Sequence, residues 1–76
     1  MVDDRSVQLA VEAARTQDDL ESLLTALIRV ALGRRSVLES AVARAEAVGD
    51  EEHLEAAARL KRALELRALW GDDGRS

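Results

Sequence analysis

Residues 20–48, LESLLTALIRVALGRRSVLESAVARAEAV, decide how this chain folds. Within them Leu20, Leu24, Leu27, Ala31, Arg34, Leu38, Ala41, Ala45 and Val48 stand at alternating spacings of four and three. That repeat keeps one stripe of an α-helix turned toward a neighbour. The phase is never lost, which predicts one long helix over about residues 17–48. Two features oppose it. Gly33 in a helix interior costs about 1 kcal/mol relative to Ala, and Ser36-Val37-Leu38-Glu39 has the form of a capping box. A break at Gly33 is the alternative, but a break rarely preserves heptad phase across it, so the continuous helix is the expectation.

Toward the C-terminus the next signal is Gly49-Asp50. Gly suits the left-handed position that ends a helix, and Asp50 suits the cap of the next, with Glu51 and Glu52 at the positive end of its dipole. The following helix is predicted over about residues 51–70, with Leu54, Ala57, Leu60, Leu64 and Ala68 along one face and Gly71 as its stop. So short a turn predicts an antiparallel helical hairpin. Toward the N-terminus, Asp3 and Asp4 precede Val7, Ala10, Val11 and Ala14, which share a helix face and predict a short helix over about 4–15. Thr16 reads as the cap of the long helix, with Asp19 in place of the usual Glu three residues on. Residues 1–71 form one helical domain on this reading, and 72–76 a flexible tail.

Composition supports an all-α fold. Proline and cysteine are absent, Trp70 is the only aromatic residue, and the 47% hydrophobic content is mostly Ala, Leu and Val. These are largely good helix formers, with little to favour sheets. Without cysteine there is neither a disulfide nor a thiolate metal site. The net charge of -4 comes from 15 acids and 11 bases, and no segment is strongly basic, which argues against nucleic acid or an anionic membrane as partner. Arg29, Arg34 and Arg35 interrupt the apolar stretches too soon for a membrane span, and Met1-Val2-Asp3-Asp4 lacks the basic and apolar regions of a signal peptide. A cytoplasmic protein is the expectation.

Residues 20–32 carry more apolar surface than one neighbour can cover. Only Glu21, Ser22, Thr25 and Arg29 interrupt them, as a narrow polar strip. A helix folding back from Asp18 should lie along residues 20–30, and the last helix along about 29–48, so both arms lie in one layer. The remaining apolar surface marks an interaction site. The candidate interface residues are Leu20, Leu23, Leu24, Leu27, Val30 and Ala31, with Leu66 and Trp70 one turn apart forming a smaller patch beside Ala63. Burying one extra Leu contributes on the order of 1.5 to 3 kcal/mol, enough for a few such residues to decide oligomeric state at this chain length. A two-fold homodimer is the simplest closure.

Residues that could carry chemistry are few. His53 follows Asp50 by three positions near Glu46 and Glu52, a faint echo of the carboxylate and histidine spacing of helical metal sites. The same acids are accounted for by capping and the helix dipole, so no metal, cofactor or catalytic residue is expected. Placing Leu27 to Val48 on a helix-turn-helix puts Glu39 at the phosphate backbone and Arg29 where a small residue packs. The functional expectation is a non-enzymatic interaction or regulatory module that self-associates through amphipathic helices. The alternatives are a small adaptor or inhibitor that binds a different protein, and, behind it, a dimeric DNA-binding protein.

Overall fold

The computed structural model describes residues 4–30 and 34–69, with the side chains of 67–69 left aside. All the regular structure among the described residues is helical: α1 (Asp4–Thr16), α2 (Leu20–Arg29), α3 (Arg35–Val48) and α4 (Glu51–Leu69). The first and last helices lie where the caps and periodicity place them. The long central helix does not form, and α2 and α3 stand in its place.

Val30 closes α2, its N–H reaching the carbonyl of Ala26 at 3.1 Å. Arg34 then turns extended, at φ -77° and ψ 137°, to begin α3. The physical reason is burial. An unbroken helix over residues 20–48 would be about 43 Å long, while the longest dimension of the molecule is 35 Å. The break lets Leu23 and Leu27 turn into the same core as Leu38, where all three are at most 1% exposed. The conformation of Gly33 lies outside the described residues, as does the 72–76 tail.

The capping of α2 also differs from expectation. Thr16 is the last residue of α1, and its hydroxyl donates to the carbonyls of Glu12 and Ala13. Asp19 is the cap instead, accepting from the Ser22 N–H at 2.7 Å and from the Ser22 hydroxyl. Ser36 likewise lies one position inside α3, so the capping box proposed there is not the one used. At the third junction the sequence reading holds. Gly49 is left-handed at φ 82°, and the Asp50 carboxylate accepts from the His53 N–H at 2.8 Å.

The helices pack as a body of α1, α3 and α4, with α2 laid against α1 and α4. The arms therefore do not share one layer along a central helix, because α1 spends most of its contact on α3 and α4 rather than on residues 20–30. Its Val7, Ala10, Val11 and Ala14 meet Val37, Leu38, Ala41, Val42 and Ala45 of α3 and Ala56, Ala57, Leu60 and Ala63 of α4 in one core. Among the described residues seven of the fifteen buried ones are alanine, so backbones approach closely and the four leucines and four valines carry most of the apolar volume. Arg59 of α4 fastens the end of α1: its guanidinium donates to the carbonyls of Ala14 at 2.7 Å and Gln17 at 2.8 Å. Those carbonyls have no partner further along α1, and a cation is well placed at the negative end of its dipole.

Candidate interaction surface

Helix α2 owes its surface to a mismatch between its apolar arc and its neighbours. At about 100° per residue, Leu23 and Leu27 define the buried line, and Leu20, Leu24 and Ile28 step away from it by about 40° at a time. Burial follows the steps: Leu20 and Leu24 are half-buried against the core, and Ile28 is 55% exposed. Val30, just past the end of the helix, is 52% exposed. Beside them Gln17, Glu21, Ser22, Thr25, Ala26, Arg29 and Val30 line a shallow groove of about 470 Å³. The polar strip read from the sequence forms this groove, and the exposed apolar residues border it.

The candidate interface residues fall into three groups. Leu23 and Leu27 are 0% and 1% exposed and belong to the chain's own core, so neither can meet a partner while the fold is intact. Leu20, Leu24, Val30 and Leu66 keep partly or largely open surface. Ala31 and Trp70 lie outside the described residues. Ala63, read as part of a patch with Leu66, is fully buried. Ile28 is the exposed residue that heptad counting passes over, because it falls between stripe positions. Val48 and Leu54, read as seam and core, are 53% and 50% exposed. Both flank the Gly49-Asp50 turn.

A second, smaller groove of about 230 Å³ lies where α1 meets the α3–α4 turn, lined by Gln8, Val11, Glu12, Arg15, Arg44, Val48 and His53. Its basic side chains are already partnered. Arg15 bonds Glu52 at 2.8 Å, Arg44 pairs with Asp4, and His53 Nδ1 donates to Asp50 at 2.7 Å, the ionised carboxylate being an acceptor only. Two hydrogen bonds from His53, backbone first and ring second, hold the Asp50 carboxyl below its ordinary value of 3.8, with help from the charges of His53 and Arg15. The hydrogen bond to Glu52, followed by its charge, raises the Arg15 guanidinium. These exposed pairs, with Lys61–Glu46 at 2.8 Å between α4 and α3, position the helices while adding roughly 0 to 1 kcal/mol each. Arg34, a stripe position in the sequence, is exposed and makes no ion pair among the described residues.

Among the described residues no three His, Asp or Glu side chains gather as a metal site requires, and no helix is long and apolar enough to cross a membrane. No protein-family model matches the chain, and neither does any curated protein or solved structure.

Proposed function

We propose that this chain is a non-enzymatic interaction module that associates with a second copy of itself through the outer face of α2. One observation carries the reading: the apolar arc of α2 continues past its intramolecular contacts through Leu20 and Leu24 to Ile28 and Val30, both more than half exposed. A run of this kind at one end of a helix is the surface a two-fold partner covers, since one patch then buries itself. The two-residue turn at Gly49-Asp50 supports α3 and α4 forming an antiparallel hairpin that holds α2 within such a bundle.

Light scattering coupled to size exclusion tests the proposal. The wild type should run as a dimer, and Ile28→Glu should give a folded monomer with unchanged helicity, because position 28 is open in the single chain. Thr25→Glu, on the polar strip, should leave the dimer intact. A wild type that remains monomeric at high concentration, or an Ile28→Glu variant that remains dimeric, overturns the assignment. Leu27→Glu cannot serve here, since Leu27 is buried in the chain's own core and the change would undock α2 whatever its partner.

A further inference from the structure

Ion pairs tie three of the four helices together and leave α2 out. Arg44–Asp4 joins α3 to α1, Arg15–Glu52 joins α1 to α4, and Lys61–Glu46 joins α4 to α3. The pairs Arg35–Glu39, His53–Asp50 and Arg59–Glu55 are local to α3 or to α4 and its cap. Among the described residues no ion pair uses the charges of α2 or of the turn before it, all of which are exposed. They are also sorted by sign: Asp18, Asp19 and Glu21 stand at the start of α2 and Arg29 at its end. That order suits the dipole of α2 itself. It also gives the helix an acidic head and a basic tail for anything laid along it.

The apolar row beside these charges is symmetric in a useful way. Leu20, Leu24 and Ile28 follow one another at four-residue spacing and form a ridge along α2 with Leu24 at its middle. Exposure rises along it, from the half-buried Leu20 and Leu24 to Ile28 at 55%. Two such ridges can pack with two-fold symmetry, Leu24 on Leu24, in either direction. In a parallel pair Ile28 meets Ile28, and Glu21 and Arg29 each meet their own kind. In an antiparallel pair Leu20 of each copy lies on Ile28 of the other, and each acidic head lies beside the other copy's Arg29. Like charges brought together across an interface select against a docking mode, and opposite ones select for it. Thr25, about 100° around the helix from Leu24, stays outside the contact.

Resting on the self-association proposed above, we infer that the two copies dock with their α2 helices antiparallel, Leu24 on Leu24, and that the charges at the helix ends set this direction. Each chain keeps its own fold in the pair, since Leu23 and Leu27 stay in their own core. The net charge of -4 on each copy opposes association, and the two crossed contacts between acidic head and Arg29 offset it at the interface.

Because the chain has no cysteine, introduced thiols report the direction without interference. Positions 21 and 29 are exposed and lie about 12 Å apart along the helix axis. Glu21→Cys and Arg29→Cys chains, mixed and treated with a short bis-maleimide, should give covalent dimers holding one chain of each kind, identified by intact mass. Either variant alone should give far fewer. Linking as efficient in one variant alone as in the mixture, or no linking in a mixture of dimeric native mass, overturns the antiparallel arrangement and leaves self-association standing. A wild type of monomeric native mass overturns both. Charge neutralisation gives an independent reading. Glu21→Gln and Arg29→Gln should each weaken the dimer at low salt by about threefold per contact, or about tenfold in Kd for the two symmetric contacts. Were net charge or parallel docking in control, Glu21→Gln would tighten the dimer instead. An unchanged or tighter dimer for either variant overturns the inference.

Discussion

Helix α2 is the more leucine-rich of the two central helices, yet α3 buries more of itself. Val37, Leu38, Ala41, Val42 and Ala45 of α3 are all buried, whereas α2 buries only Leu23 and Leu27. The difference lies in the neighbours. Helix α3 is flanked by α1 and α4 along its length, while α2 rests on the same two helices through a smaller contact. Hydrophobic content states what a helix could bury, and topology decides what it does bury. Here the excess sits on α2, which gives that helix its proposed role.

The largest effects should come from its anchors. Leu38→Ala is expected to cost about 2 to 5 kcal/mol in urea unfolding, as for a fully buried leucine in a tight core. Leu27→Ala should fall at the low end, near 2 kcal/mol, because α2 can undock before the rest unfolds and so limits the loss. Hydrogen exchange under native conditions should accordingly show the α2 amides opening at lower free energy than those of α3. Equal losses and equal protection would make α2 as integral as α3 and remove the contrast.

A smaller effect separates the helix starts. Asp19→Ala removes the only side-chain cap of α2 and should cost about 1 kcal/mol in thermal melts, whereas Arg34→Ala at the uncapped start of α3 should cost less. The smallest effect concerns pH. The Asp50 carboxyl titrates below its ordinary value in the folded chain, so the unfolded chain takes up its proton first as pH falls. Its contribution is therefore complete above about pH 4 and is lost on descending through the lowered folded value. Asp50→Asn, which keeps a capping oxygen without the titration, should flatten the acid side of a melting-temperature profile. An unchanged profile would show that the carboxylate is not stabilised by His53.

Much of this fold is legible in local chemistry. The start of α4 and the Gly49-Asp50 turn follow from residues that act within a few positions of themselves. What misleads is the heptad. Leu20 to Val48 are in phase through the break because in-phase leucines and alanines serve two short helices facing one core as well as they serve one long helix. Phase points Leu27 inward but not Leu23, which lies outside the repeat; which side of the apolar arc is buried depends on where α1 and α4 sit. The Arg59 bonds to Ala14 and Gln17 span more than forty residues, and no local pattern announces them. The outer face of α2 was visible only in outline: the apolar excess of residues 20–32 was plain, but its exposed members were not.

The alanine core inverts the usual susceptibility of a small domain to substitution. At Ala10, Ala14, Ala41, Ala45, Ala56, Ala57 and Ala63, all at most 2% exposed, truncation can remove no more than a methyl group. Enlargement is the greater hazard there, since extra methylenes in a filled core cost about 1 to 3 kcal/mol through displaced backbone and strained rotamers. A saturation scan of these seven positions should tolerate Gly and Ser better than Leu or Phe. Among sequences that keep this packing, the side chains free to grow would be those outside the alanine seam, on α2 and around the turns.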